Sequence, residues 1–362
     1  MTIAPRHSHG EVVIGWIGPL TGSSAVLGVD SVAVARAAFE EVNARGGVAG
    51  HKIRFIAEDD QYMTSKTVSA YSRLVTVEKA KIIFVLTYGG IKAIASRAER
   101  DGVVLIDPLD CDDDLAALPP NTFCIAKRTE DLGIGNAIHA ANKLQSPASI
   151  IYFEGDPFPV KVAEATKKHL ESAGVSVVLF AGIAPGASTD FRTLLASTRN
   201  RGAKSLFVYG YDDFGLALKQ AKELGIDCAV YSVPGAGLGS PGFDGAAGAA
   251  TEGVLASGWF APRTVRYQSF RDEYKAKVGR YPFLDVSTIP TFDTSRLIIQ
   301  GLEGSLDKTE GDFLLPQFRN FMLGVTDYEG LSGKISIEQD GSVRSLKTGM
   351  YTYTKGEFVR VE

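Results

Sequence analysis

Short, uniformly apolar runs alternate along this chain with stretches whose apolar residues recur every three or four positions. Glu11–Ile17, Ile82–Leu86, Val103–Ile106, Ser149–Phe153, Val175–Ala181, Ser205–Tyr209 and Cys228–Val233 form the first set. A short apolar run without polar alternation predicts a strand covered on both faces. Lys52–Ala57 instead alternates, with Ile53, Phe55 and Ala57 on one side. Between these runs, Val32, Ala35, Phe39 and Val42 mark a helix that Gly46-Gly47 ends. Helical spacing also predicts Lys66–Lys79, Ile91–Arg100, Leu132–Leu144, a helix around Ala163–Ala173, and helices over 190–201 and 214–224. Strand–helix alternation of this kind means parallel-rich sheets flanked by helices on both faces, an α/β fold of two Rossmann-like lobes, the cycle restarting near Arg128.

The text changes after Pro234. Gly235–Gly253 is rich in Gly and Ala and predicts a loop with little core. Helices are expected again at Val265–Val278, Thr291–Leu302 and Pro316–Leu323. The tail from Gly333 alternates and turns at Asp340-Gly341 and Lys355-Gly356, so it reads as β structure.

Length and composition narrow the choices. A chain of 362 residues suits two cores better than one. A net charge of −4 and the lack of a basic stripe argue against a nucleic-acid partner. No apolar run reaches the roughly 18 residues that span a bilayer. Residues 1–10 are polar and too short for a secretory signal, so either the protein is cytoplasmic or a signal was removed. Cys111 and Cys124 can pair if the chain is exported, leaving Cys228 single; three reduced thiols fit equally well. The five histidines are scattered, and no CxxC or His/Cys cluster suggests a metal or other cofactor.

The most informative local pattern is the strand Ile82–Leu86 followed by Thr87-Tyr88-Gly89-Gly90 and a helix. Bare backbone N–H groups at such a helix start attract an anion by about 0.3–1 kcal/mol, up to about 2 when partly buried. A plain strand–helix turn is the alternative reading of Gly89-Gly90.

The order of pieces resembles the type I periplasmic solute-binding proteins, specifically the leucine/isoleucine/valine-binding branch of ABC-transporter receptors. Ile14-Gly15 with Gly18-Pro19-Leu20-Thr21-Gly22 is similar to that branch's opening strand and loop. Glu40–Gly50, reading EEVNARGGVAG, resembles its helix-end signature; Glu58-Asp59-Asp60 and Phe292-Asp293 resemble further landmarks. The resemblance implies two lobes joined by three crossovers, near Arg128, Ser257 and Gly333. The N-terminal lobe would take residues 11–127 and 257–333, the C-terminal lobe 128–256 and 334–362. Ligand would sit between them, where open α/β sheets place their ligands.

Residue by residue, the resemblance implies that Ser23, Ser24 and Leu27 cover the ligand. Thr87, Tyr88 and the N–H groups of Gly89 and Gly90 would hold its carboxylate. Leu109, Asp110 and Cys111 would line the loop after Pro108, with Cys111 standing where the family usually has Ser or Thr. A Cys111–Cys124 bond would remove that donor. Phe158 and Tyr211 align with family aromatics, whose rigid rings give contact area at low entropic cost. The departure lies at Pro234 and Gly235. Amino-acid binders carry a glutamate hereabouts for the ligand ammonium, and Val233–Gly237 offers no carboxylate. An unpaired buried ammonium costs several kcal/mol, against about 8 kcal/mol for a whole micromolar complex. Either Asp110, Asp112, Asp212 or Asp213 takes over, or the ligand is a small carboxylate with an apolar or aromatic body and no ammonium; a branched-chain amino acid stands close behind.

The expected function is therefore a non-catalytic, monomeric periplasmic receptor that closes on a small solute and delivers it to a membrane permease. An intracellular ligand sensor of the same fold is the alternative. Catalysis has little support: Gly235–Gly239 lacks the third-glycine spacing of a dinucleotide loop, and no G-x-S-x-G elbow or P-loop occurs.

Overall fold

The computed structural model describes residues 10–22, 24–187, 189–235, 237–307 and 311–361. The chain divides into two compact units. One takes residues up to Leu20, Gly28–Ala126 and Ala261–Ser345; the other takes Thr21–Leu27, Lys127–Phe260 and Leu346–Glu362.

The first unit begins with β1 (Glu11–Gly18), α1 (Ala25–Ala44), β2 (Lys52–Asp59), α2 (Thr64–Thr76) and β3 (Ile82–Val85). It continues with α3 (Tyr88–Asp101), β4 (Val104–Asp107), a one-turn α4 (Asp113–Ala116) and β5 (Thr122–Cys124). The sheet order is β2-β1-β3-β4-β5, every pairing parallel. The central strands β3 and β4 are buried at every position, as their uniformly apolar text requires. On one face, Ile17, Ile83, Val85 and Leu105 pack with Tyr71 and Leu74 of α2 and Ile91 and Ile94 of α3.

The second unit runs through α5 (Thr129–Asn142), β6 (Ala148–Phe153), α6 (Pro157–Ser172), β7 (Val177–Ile183) and α7 (Arg192–Asn200). Then come β8 (Ser205–Tyr209), α8 (Gly215–Glu223), β9 (Ala229–Ser232), α9 (Pro241–Ala247) and β10 (Val254–Gly258). Alternation along the strands separates two cores. Ile150, Tyr152, Phe207 and Tyr209 join one, while Ile151, Leu206 and Val208 join the other.

The chain then supplies α10 (Val265–Val278), α11 (Asp285–Glu303), α12 (Leu315–Leu323) and a small hairpin of β11 (Tyr328–Gly330) and β12 (Gly333–Ile335) to the first unit. Buried Asp30 of α1 ties part of this segment down. Its carboxylate accepts from the Tyr274 hydroxyl, the Arg280 guanidinium and the Phe283 N–H. Finally β13 (Gly349–Thr354) and β14 (Glu357–Arg360) complete a seven-stranded sheet of order β14-β13-β10-β9-β8-β6-β7, in which only the β13 pairings are antiparallel.

Three expectations need correction. The last boundary falls at 345/346 rather than 333/334, because β12 pairs with β11 and only β13 and β14 reach the large sheet. The segment after Pro234 is not a coreless loop. Ser240 caps α9 by accepting from the Phe243 N–H, and Leu238, Phe243 and Ala247 are buried. Helix α11 begins at Asp285, ahead of Pro290, instead of at Thr291. Burial of Ser287, Ile289, Leu297 and Ile298 outweighs the single backbone bond that Pro290 forfeits.

Candidate functional site

Parallel pairing brings the carboxyl ends of β1, β2, β3 and β4 to one edge of the first unit. The acidic pair after β2 organises that edge. Asp59 Oδ1 accepts from the Leu20 N–H at 2.8 Å and the Gln61 N–H at 3.0 Å, drawing in the loop after β1. Asp60 is fully buried. Its Oδ2 accepts from the Thr87 hydroxyl at 2.5 Å and the Thr67 hydroxyl at 2.7 Å, and its Oδ1 from the Tyr62 N–H at 2.9 Å. Burial pushes this carboxyl above the usual Asp range, and the Thr87 and Thr67 hydrogen bonds oppose the shift.

Thr87 is the N-cap of α3, yet its side chain makes no capping bond; its hydroxyl donates to Asp60 instead. Behind it, Gly90 is a steric requirement. A Cβ there would lie 2.4 Å from Thr67 Oγ1, so only glycine lets the first turn of α3 seat on α2. Gly89 is half-buried in the same turn. The Tyr88 ring is buried under Lys92, and its hydroxyl donates to Asp112. Burial, with the Asp112 bond second, drives that phenol far above its ordinary pKa.

After β4, Asp107 Oδ1 accepts from the N–H groups of Leu109 (2.8 Å) and Asp110 (2.9 Å), which folds the Pro108 loop into a compact turn. Leu109 and Asp110 are buried. Cys111 is disulfide-bonded to Cys124, so it offers no thiol to a ligand. Asp112 caps α4 through the Leu115 N–H at 2.8 Å, which, with Tyr88, occupies both of its oxygens.

The second unit gathers the ends of β6, β8 and β9 in the same way. Asp156 caps α6, its Oδ1 accepting from the Phe158 N–H at 2.7 Å. The half-buried Phe158 ring lies 5.6 Å from the ammonium of Lys127, itself only 3% exposed. Tyr211 stands edge-on to Phe153, ring centroids 5.9 Å apart. Asp212 Oδ1 accepts from the Ser240 hydroxyl at 3.3 Å, and burial pushes its carboxyl upward. Asp213 is exposed. Gly235 has φ +122°, and Pro234 bridges to Leu238. Gly237 is held close to the Gly210 carbonyl oxygen, 2.9 Å from where a Cβ would sit.

Ser24 and Leu27 are buried, and the Leu27 N–H donates to the Ser24 carbonyl at 3.0 Å. Ser23 and Ala236 lie outside the described residues. Sequence reasoning missed Asp60, Asp156 and Lys127 as organisers of these edges. The signal for the first two was available: a carboxylate directly after a strand and before a helix. Among the described residues no group of His, Cys, Asp and Glu is placed to hold a metal ion, and no helix is long and apolar enough to cross a membrane.

Among the described residues these edges present a helix start without a side-chain cap, aromatic rings and main-chain groups. A family model described as periplasmic binding protein matches residues 11–354. The chain belongs to the periplasmic binding protein family. Relatives in this family include an amino acid binding protein of Pseudomonas aeruginosa, 28% identical over 233 residues. That match covers 63% of this chain and 62% of the relative, under two thirds of its length. A leucine-, isoleucine-, valine-, threonine-, and alanine-binding protein of the same organism is 24% identical over 95% of this chain and 90% of its own. Two solved structures show the type I periplasmic binding protein fold. The branched-chain amino acid transporter substrate binding protein of Streptococcus pneumoniae, in complex with isoleucine, superposes with a TM-score of 0.82 at 22% identity, covering 96% of this chain and 97% of that one. An ABC-transporter solute binding protein of Rhodopseudomonas palustris, in complex with benzoate, gives 0.81 at 17% identity, covering 97% and 96%.

Proposed function

We propose that this periplasmic binding protein is the solute receptor of an ABC importer, and that it captures a small carboxylate with an apolar or aromatic body. In the first unit, the first turn of α3 would take a carboxylate. In the second unit, Phe158 and Tyr211 are the aromatic side chains proposed for an apolar body. The observation that carries the reading is the α3 start, where Thr87 and Tyr88 turn their hydroxyls to Asp60 and Asp112. The Thr87 side chain makes no capping bond, which leaves main-chain donors of this turn for an anion. The relatives' ligands span the same chemistry, an aliphatic amino acid in one and benzoate in another.

The absence of a glutamate near Pro234 favours a ligand without an ammonium. A branched-chain amino acid is the second reading, favoured by the names of the relatives. The Cys111–Cys124 disulfide supports an oxidising compartment such as the periplasm, and the relatives' transporter names support a membrane permease as partner. An intracellular sensor finds no comparable support.

A thermal-shift screen across amino acids, aliphatic acids and aromatic acids tests the proposal, followed by mass analysis of the incubated solute. The expected result is a rise in melting temperature with one chemical class and an unaltered solute. No shift with any class, or a chemically changed solute, contradicts it.

A further inference from the structure

We infer that Asp60 determines what Thr87 can offer a ligand: by taking the hydroxyl proton, it makes Thr87 an acceptor only. This inference rests on the reading that the start of α3 receives the ligand carboxylate, and it adds a specificity-determining residue one step behind that contact.

A threonine hydroxyl has one hydrogen to give and lone pairs to receive. Thr87 donates its hydrogen to Asp60 Oδ2 at 2.5 Å. Thr67 donates to the same oxygen at 2.7 Å, and the Tyr62 N–H occupies Oδ1 at 2.9 Å. Neither threonine can reverse its bond while the carboxylate is ionised, because a carboxylate only accepts. All three side chains, of Asp60, Thr67 and Thr87, are no more than 1% exposed, so no bulk water competes for these bonds.

The consequence is directional. A carboxylate at the α3 start must be held by main-chain N–H groups, while the Thr87 oxygen presents lone pairs. A ligand group that donates, such as an amide NH2, gains from that oxygen; a second carboxylate oxygen does not. Asp60→Asn reverses the arrangement. With its carbonyl kept on the Tyr62 N–H, the Asn amide donates to both threonines. Thr67 then turns its hydrogen toward the Met63 carbonyl, already 3.3 Å away. Thr87 turns its own toward the ligand.

The test compares leucine with leucinamide and benzoate with benzamide, as dissociation constants, in wild type, Asp60→Asn and Asp60→Asn/Thr87→Val. The single variant is expected to shift the acid-to-amide preference toward the acid by about fivefold or more, one neutral hydrogen bond's worth. The double variant is expected to lose that gain, since the hydroxyl is gone. An unchanged preference in the single variant overturns the inference. A gain that survives in the double variant also overturns it, because loss of negative charge alone then explains the effect. If no probe binds wild type, the ligand reading falls on its own. The inference is then decided by a ligand-free double-mutant cycle between Asp60→Ala and Thr87→Val, neither of which keeps the bond that an ionised carboxylate can only accept. Coupling of at least about fivefold in the unfolding constant supports the proton assignment, and additivity refutes it.

Discussion

Replacing Asn136 by leucine should loosen the second unit's sheet selectively. Asn136 is fully buried on α5 and touches three strands. Its Oδ1 accepts from the Ser257 N–H of β10 at 2.6 Å, and its Nδ2 donates to the Ser232 carbonyl of β9 at 2.8 Å and the Tyr209 hydroxyl of β8 at 3.2 Å. Leucine fills a similar volume but strands the Ser257 N–H and the Ser232 carbonyl in a dry interior. Tyr209 keeps its Thr166 partner at 2.8 Å. Two unsatisfied backbone groups at about 1–3 kcal/mol each give a loss of about 3–4 kcal/mol. With a urea dependence of about 2 kcal/mol per molar, the midpoint should fall by about 1.5–2 M. The two tryptophans make the assay local. Trp16 lies in the first unit and Trp259 in the second, both buried. In a Trp16→Phe background the emission of Trp259 follows the second unit alone. A midpoint shift under about 0.3 M would show that these bonds do not hold β8, β9 and β10 together as argued.

Gly90→Ala should destabilise the first unit by about 1–3 kcal/mol and weaken solute binding as well, since its Cβ collides with Thr67 Oγ1 at 2.4 Å; urea curves read from Trp16 and solute titrations check both. Reduction of Cys111–Cys124, or the double serine variant, should lower stability of the first unit by about 3 kcal/mol for a loop of this size, read by the same fluorescence. Asp293 accepts from the N–H groups of Leu331 (2.8 Å) and Ser332 (2.7 Å), and burial raises its pKa above the ordinary 3.8. A raised folded-state pKa contributes stability below about 3.8 that is lost as pH climbs through the raised value. Asp293→Asn loses one of the two bonds but carries no such dependence. Its melting temperature should therefore lie below wild type at pH 3.5, with the gap narrowing toward pH 7; a constant gap contradicts the assignment.

The strand positions were legible where apolar text was uniform and short, as in Ile82–Leu86 and Ser205–Tyr209, because strands buried on both faces carry that text. It failed where tertiary contacts decide. Pro290 looks like a helix boundary until the burial of α11 is known. The Gly- and Ala-rich stretch after Pro234 hides a helix because a single phenylalanine, Phe243, anchors it. The tail's alternation shows strands but not which sheet adopts them, so β12 was assigned to the wrong unit. At the site, the Gly89-Gly90 turn was readable from local rules. The position of Asp60, after a strand and before a helix, was readable too, but its role was not, since that depends on Thr67 and Thr87, 7 and 27 residues away. The disulfide stayed open because spacing alone fixes neither compartment nor distance.

The central claim is capture of a small carboxylate, and calorimetric titration of purified protein with the acid selected by the screen tests it most directly. The account predicts saturable binding of one molecule per chain, weakened at least about tenfold by Tyr211→Ala, as loss of an aromatic anchor requires. Heats no larger than dilution for every carboxylate offered, or an affinity indifferent to Tyr211, would contradict it.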